Sequence, residues 1–377
     1  MTGEPSSSGA DADRINDRRW MALALARRGL GAVWPNPAVG CVIIGEGRVV
    51  GRGWTQPGGR PHAETEALRR AGSAARGATA YVSLEPCCHW GQTPPCADAL
   101  IDAGVRRVVV ALEDPDPRVA GNGIARLLAA GLTVDAGLGA EEAAEINAGF
   151  LSRLALGRPL VTLKLATSLD GRIATSSGES QWITGPPARE RGHWLRAVHD
   201  AIMVGTGTVL ADDPQLTCRL SGLGRRSPVR VVLDRHLRIP ASAHVIAGAR
   251  QTPTWVLTLP SADPVRRQAF IDRGAIVIDV VSGSDGNIDL AEALAALGGH
   301  GITRLLVEGG ARLAAALLRG RLVDRLAWLH APILVGGDGI PAIGALGVDR
   351  LADAPGFEPL SSEPAGDAML TTFKTRA

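Results

Sequence analysis

Residues 84–96 read LEPCCHWGQTPPC and hold three of the chain's five cysteines within thirteen positions. Upstream, PHAET sets His62 and Glu64 one residue apart at the head of an apolar-periodic segment. An imidazole and thiols gathered in this way are a metal set, and zinc suits it, being four-coordinate and content with nitrogen and sulfur donors. His62 and two thiolates fill three positions and leave the fourth to water, as a catalytic zinc requires. Together these ligands cancel the dication, yet the metal still draws the pKa of its water towards neutrality. Glu64 as a fourth ligand would close the site. Its carboxylate is therefore expected to carry a proton from the attacking water to a leaving amine.

His-x-Glu followed by Pro-Cys and a further Cys is the signature of zinc-dependent deaminases of bases and nucleotides. Pro86 precedes Cys87, which gives Cys87 the first thiolate position. Eight residues separate it from Cys96, where many deaminases place two. Cys96 also follows a proline and opens a predicted helix, whose positive end favours a thiolate. Adjacent thiols chelate one tetrahedral ion poorly, so Cys88 is the surplus cysteine. Cys41, in mid-strand, and Cys218 read as small buried hydrophobes. A purely structural zinc would want a fourth side-chain ligand, which only Cys88 or His89 could supply. The acid/base beside the metal favours catalysis.

The elements that must hold these residues follow from pattern. A helix is predicted from Asp17, with apolar Trp20, Leu23, Leu25 and Ala26, ended by Gly29 and Gly31. AVGCVII (38–44) and RVVGRGW (48–54) form a hairpin across Gly45–Gly47. HAETEALRRAG, CADALIDAG and GIARLLAAG read as helices, GATAYVSLE, VRRVVVALED and LTVDAG as strands. One helix is expected from Glu141 to about Leu156. GRP (157–159) then marks a boundary between domains at 15–150 and 158–377. Beyond it, PLVTLKLATSLDG is a strand and loop, GPPARERGHWLRAV a helix, and DAIMVGTGTVLADDP a strand running into a loop. VRVVLD, TWVLTL and AIVIDV continue as strands and DLAEALAALG as a helix. ITRLLVEGGARLAAALLRG gives strand, turn and helix, and VDRLAWLHAPILVGG closes the sheet. Alternating strand and helix make the fold class α/β, in two domains with no internal repeat.

Composition narrows the function. With 377 residues, 45% hydrophobic and 21% charged, the chain is long enough for two globular cores. Balanced charge, 40 Lys+Arg against 38 Asp+Glu, offers no global field for nucleic acid or an anionic membrane. Aromatic residues are 3%, so base-stacking platforms are scarce. No run approaches the roughly 18 apolar residues of a membrane span. The start, MTGEPSSSGADADR, is polar, lacks the apolar core of a signal peptide and reads as disordered. An odd number of cysteines argues against a disulfide framework, so a cytoplasmic location is expected.

PNPAVGCVI, HAETEAL, LEPCCHWGQTPPC and ALEDPDPRVAGNG together resemble the deaminase half of the bifunctional deaminase/reductase family of bacterial riboflavin biosynthesis, in which the eight-residue spacing is typical. KLATSLDGRIA, SGESQWITG, VGTGTVLADDPQLTCR and VEGGA resemble its reductase half, and the likeness spans about residues 15–375. The resemblance implies a cytidine-deaminase-like zinc domain followed by a dihydrofolate-reductase-like domain that uses NADPH. The substrate would be a small pyrimidine ribotide, first losing its 2-amino group and then reduced from ribosyl to ribityl. Zinc would fall to His62, Cys87 and Cys96, the proton shuttle to Glu64, and Asn36 would line the pocket. Thr55 stands where the family often has histidine.

In the second half the resemblance places cofactor contacts on Ala166, Trp182, Thr208, Asp212 and the stretch Gly310, Ala311, Arg312, Leu313, Ala314, Ala315 and Ala316. Substrate contacts fall on Ser180, Arg196, Leu216, Arg219 and Glu308. Arg196 and Arg219 have the forked donors to clamp a sugar phosphate, and Glu308 can accept from pyrimidine N–H groups. Arg235 stands where the family often has serine, and could pair with the cofactor's 2′-phosphate or point into water. From residues alone, Gly309–Gly310 between strand and helix is a weak phosphate signal, since such turns are common. No Gly-x-Gly-x-x-Gly follows the half's first strand, so a Rossmann assignment is unfounded. Two other readings exist, a nucleic-acid deaminase with an accessory domain and a zinc-stabilised scaffold. The charge balance argues against the first and Glu64 against the second. A homo-oligomer is compatible with all of this.

Overall fold

The computed structural model describes residues 7–25, 29–91 and 93–376, with side chains from Ile15 onward. The chain divides into two compact units, 1–155 and 156–377.

The first unit comprises α1 (Ser7–Ala24), β1 (Gly40–Gly45), β2 (Arg48–Trp54), α2 (Ala63–Ala71), β3 (Thr79–Val82), α3 (Cys96–Asp102), β4 (Arg107–Val110), α4 (Asn122–Ala129), β5 (Thr133–Ala136), α5 (Ala140–Ile146) and α6 (Ala148–Leu156). Its sheet runs β2-β1-β3-β4-β5, with β1 antiparallel to both neighbours and the last three strands parallel. Period-two alternation divides the strands between two cores. Cys41, Ile43, Ala80, Val82, Val108 and Val110 face Ala63, Ala67, Leu100 and Leu127. Val42, Ile44, Tyr81 and Val109 face Met21, Ala24 and Ala143. The hairpin turns on Glu46 and Gly47, both left-handed, the two-residue turn that matches strand twist.

The second unit comprises β6 (Leu160–Thr167), β7 (Arg172–Ala174), α7 (Pro186–Ala197), β8 (Ala201–Gly205), α8 (Thr206–Asp212), β9 (Val229–Leu233), α9 (His244–Ala247), β10 (Thr254–Thr258), α10 (Pro264–Asp272), β11 (Ile276–Asp279), α11 (Leu290–Gly299), β12 (Arg304–Val307), α12 (Ala311–Arg319), β13 (Arg325–His330), β14 (Ile340–Pro341), β15 (Phe357–Ala365) and β16 (Ala368–Thr375). Its large sheet runs β11-β10-β9-β8-β12-β6-β13-β16-β15. Strands from β11 to β13 are parallel, and β16 and β15 are added antiparallel. The near-continuous apolar runs of β8, β9 and β10 are buried on both faces, as parallel strands require.

Several expectations are corrected. The first helix begins at Ser7, inside the segment read as disordered; residues 1–6 of that segment and Ala26 lie outside the described residues. Its buried face is Met21 and Ala24, while Leu23 is exposed. The single helix expected from Glu141 is two, α5 and α6, parted at Asn147. That side chain accepts from Ala38 N–H and donates to Ala143 O, taking the place of a helix continuing straight. The loop expected after β8 is α8, which puts Thr208 and Asp212 one turn apart on one face. The sheet does not close at β13. Strand β15 is polar, carries Pro359 and Pro364, and lies exposed on the edge, where no apolar alternation is needed to mark it.

Candidate active sites

Glycines of β2 let α2 lie close on the sheet. A Cβ at Gly51 or Gly53 would collide with the carbonyl of Ala67 or Ala63. Held there, His62 caps α2 and Glu64 falls in its first turn, buried. The Cys87 end is fixed by Glu85, a buried carboxylate that accepts from Asp114 N–H, Gly121 N–H and Ile124 N–H at 3.0–3.1 Å. Nothing in the sequence singled Glu85 out, because its partners are backbone amides 29–39 residues away. Cys96 begins α3, and its N–H points at Cys87 Sγ, 3.3 Å away.

His62 Nδ1 lies 3.7 Å from Cys87 Sγ and 3.4 Å from Cys96 Sγ, and the three donor atoms lie within 4.8 Å of one another. Zinc bonds of about 2.0 Å to nitrogen and about 2.3 Å to sulfur give tetrahedral edges of about 3.6 Å, so this donor set fits the ion. Cys88 is turned away and donates to Arg118 O, and neither it nor His89 joins the cluster. Contact with the Cys96 thiol holds Cys87 down at about 4, and the same contact, with burial, pushes Cys96 up. Burial pushes the Glu64 carboxyl up to about 7. At that value it can both take and return a proton near neutral pH.

In the same unit, Asn36 Nδ2 donates to Gly59 O at 3.2 Å. Thr55 is buried, and its hydroxyl accepts from Val39 N–H at 3.0 Å. The residue in the family's histidine position thus has its side chain bonded into the fold. Asp114, raised to about 6 by burial, accepts from Asp116 N–H, and Asp116 in turn pairs with Arg118.

In the second unit Glu308, at the end of β12, receives Arg196 Nε and Nη2 at 2.8 and 3.0 Å, with Lys164 Nζ 3.6 Å away. Arg196 Nη1 donates to Thr217 O, which ties α7 to the stretch carrying Leu216 and Arg219. Four predicted substrate residues are therefore brought together. Against the cost of burial, the Arg196 and Lys164 cations hold the Glu308 carboxyl down at about 2. Arg196's fork is engaged with a carboxylate, while Arg219 is exposed. Leu216 is a core residue in the left-handed region, so what it can offer a ligand is backbone. Ser180 lies on an exposed loop outside this cluster. Lys164 was missed; the available signal was a lone cation inside the apolar strand TLKLAT.

At the C-terminal ends of β8 and β9, where open α/β sheets bind ligands, lies a cavity of about 1010 Å³. Arg235, Arg312, Leu313, Ala315 and Ala316 line it. Gly310 caps α12 beside Thr208, 3.9 Å from where its Cβ would stand. Ala314 is fully buried, facing the core. Ala166, Ala311, Trp182 and Asp212 are not among its lining residues. Trp182 is exposed, with the Arg189 guanidinium 4.3 Å over its ring.

Comparison with known proteins assigns both units. Residues 14–112 match the cytidine and deoxycytidylate deaminase zinc-binding region, and residues 159–370 match the RibD C-terminal domain. The riboflavin biosynthesis protein RibD of Escherichia coli is 45% identical over 357 residues, covering 91% of this chain and 95% of that protein. Its namesake in Mycobacterium tuberculosis is 40% identical over 366 residues, 96% and 98% of the two chains. Among solved structures, Acinetobacter baumannii RibD superposes with a TM-score of 0.87 at 38% identity, covering 97% of this chain and all of that one. A Thermotoga maritima diaminohydroxyphosphoribosylaminopyrimidine deaminase/5-amino-6-(5-phosphoribosylamino)uracil reductase does so at 0.84 and 32%, with the same coverage. A metal centre built for hydrolysis, a second site at a sheet's carboxyl edge, and likeness along nearly the whole length leave one conclusion: the chain belongs to the RibD family, the bifunctional deaminase/reductases of riboflavin biosynthesis.

Proposed function

We propose that the first unit removes the 2-amino group of 2,5-diamino-6-(5-phosphoribosylamino)pyrimidin-4-one, and that the second reduces the ribosyl group of the product to ribityl with NADPH. The observation that carries this reading is the His62–Cys87–Cys96 cluster beside the buried carboxyl of Glu64. Zinc, when bound by those three residues, supplies Lewis-acid activation of water. Glu64 then takes a proton from the water that adds to C2 and returns it to the departing ammonia. Asn36 borders this pocket.

In the second unit Glu308 accepts from the pyrimidine N–H groups, and Arg196 acts by orienting Glu308. Arg219 is left to meet the sugar phosphate, since its guanidinium stands exposed. The Gly310–Ala316 turn and helix, with Thr208 and Arg235, hold the cofactor, whose role is to deliver hydride to C1 of the opened sugar. Trp182, Asp212 and Ala166 complete the cofactor contacts, and Ser180 those of the substrate. Catalysis in this half is chiefly positioning, which suits a site without a His/Asp pair. We place the enzyme in the cytoplasm, acting on free small molecules; no described helix is long and apolar enough to cross a membrane.

Incubating the zinc-replete protein with the diamino ribotide and NADPH tests the reading. Ammonia release followed by cofactor oxidation is expected. Release of ammonia from single-stranded DNA or tRNA instead, with a steep salt dependence of binding, would replace it by the nucleic-acid reading.

A further inference from the structure

Arg230, on β9, is only 3% exposed. Two residues before Val232, it shares that strand face with the core of Val232, Val245 and Ile246. Burial lowers its guanidinium to about 10, and its Nε has no partner among the described residues. The other nitrogens donate to carbonyls. Nη1 reaches Gln215 O and His244 O at 3.4 and 3.3 Å, and Nη2 reaches Thr252 O at 2.9 Å. A buried cation held by carbonyls alone costs stability, and a well-packed apolar residue would serve the core better. The reason for Arg230 lies in what its donors hold.

One of those carbonyls belongs to the 213–219 stretch, which leaves α8 and carries Leu216 and Arg219. The stretch has no helix or strand of its own, yet it is pinned repeatedly. Asp213 and Leu216 both sit in the left-handed region, at φ 37° and 56°, without being glycine. Helix α9 holds the first, since His244 N–H donates to Asp213 Oδ1 at 2.8 Å. Arg230 joins the two elements by binding Gln215 O and His244 O through one nitrogen. Further along, Arg196 Nη1 donates to Thr217 O, and Ser227 Oγ accepts from Cys218 N–H. His193 Nδ1 accepts from Arg219 N–H. Backbone kept in a sparsely populated region by this many partners is a mark of functional positioning.

Leu216 is the exception in the series. Its side chain is buried in the same core as Val232, and the whole residue is 2% exposed. Its main-chain N–H and C=O nevertheless have no hydrogen-bond partner among the described residues. Buried main-chain groups are nearly always paired. The loop therefore holds these two groups, with the exposed Arg219 side chain, ready for something outside itself.

We propose that Arg230 is a positioning residue of the reductase: by tying Gln215 to α9 it sets the Leu216 backbone and Arg219 in place for the pyrimidine ribotide. This rests on the reductase reading above. Arg230 is enclosed in the core, so it acts through the loop and takes no part in the chemistry.

Arg230→Met, Arg230→Lys and Asp213→Gly in the full-length enzyme test the proposal. Denaturant stability, ammonia release, NADPH affinity and KM for the already deaminated ribotide are measured on each. A binding loop set slightly out of place is expected to cost about tenfold. Arg230→Met should show that rise in KM, with ammonia release and NADPH affinity unchanged. Arg230→Lys keeps a charged donor and should recover part of it. Asp213→Gly suits the left-handed backbone and removes only the His244 anchor, so KM should rise about threefold. A folded Arg230→Met with lowered stability and unchanged KM would make the residue merely structural and overturn the proposal. Loss of NADPH affinity in step with KM would overturn it too. Should Arg230→Met fail to fold, Arg230→Lys decides in the same way, a raised KM supporting the proposal and an unchanged one overturning it. An unchanged KM in Asp213→Gly would overturn the route through α9. Wild-type enzyme that reduces no ribotide would instead sink the reductase reading itself.

Discussion

The two sites of this protein are built in contrasting ways. The metal centre draws its ligands from two short stretches, and its chemistry resides in the elements carried by those side chains. One imidazole and two thiols at tetrahedral spacing make a donor set that suits zinc, whatever surrounds them. The second site gathers Lys164 from β6, Arg196 from α7, Thr217 from a loop and Glu308 from the end of β12. None of these is diagnostic alone. An arginine on a helix is ordinarily a solvated charge, and it becomes part of a site here because a buried carboxylate 112 residues away receives it. Intrinsic reactivity announces itself, whereas positioning does not.

Glu64→Ala should break the comparison most sharply. Without the shuttle, ammonia release is expected to fall about a thousandfold, while zinc stays bound. Supplied with already deaminated substrate, the variant should oxidise NADPH at nearly the wild-type rate. Loss of both activities with fold and zinc intact would mean one shared site.

The ligand assignment comes next. Cys87→Ser and Cys96→Ser should each lose zinc and deamination, and Cys88→Ser should keep both. Metal analysis of the purified variants decides it, and full zinc loss from Cys88→Ser would overturn the ligand set.

Glu308→Gln probes the positioning site. It leaves the half-buried Arg196 and Lys164 cations without their counter-charge, a change expected to cost about 2 kcal/mol. Denaturant unfolding should show this loss, with the deaminated intermediate accumulating during turnover.

The pH response separates the units further. His199 is fully buried, between Leu195 O and Thr162 Oγ1, and burial lowers it to about 4. The unfolded chain therefore binds a proton that the folded one refuses as pH falls below 6.5. Stability is lost on acidification across that window, by up to about 3 kcal/mol. Asp114 in the first unit acts in the opposite sense. Raised to about 6, it is protonated first in the folded state, so its burial cost shrinks as pH falls through that value. Thermal melts of His199→Gln between pH 7 and 4 should show a flatter decline than wild type, and an identical decline would remove His199 as the cause.

The smallest effect is expected at Thr55. Thr55→Ala orphans Val39 N–H and should cost about 1 kcal/mol, without loss of zinc. A large fall in deamination at unchanged stability would show that the hydroxyl also serves the substrate.

By itself the sequence pointed to the His62–Cys87–Cys96 cluster, the carboxylate beside it and most strands and helices. Each is a local matter: ligand chemistry belongs to the side chain, and apolar periodicity to neighbours within one element. It failed where partners decide. Asn147 parts a continuous helical pattern at the point where its side chain accepts from distant Ala38 N–H. Strand β15 carries no apolar alternation, and pairing with β16 makes it a strand. Glu85 reads as an ordinary acid until three distant amides converge on it. Tertiary structure likewise turned Arg196 from a candidate phosphate clamp into the partner of Glu308, and set Arg235 against Asn287. Charge and hydrogen-bonding capacity are written in the sequence, but which group meets them is a long-range contact, and only folding fixes that.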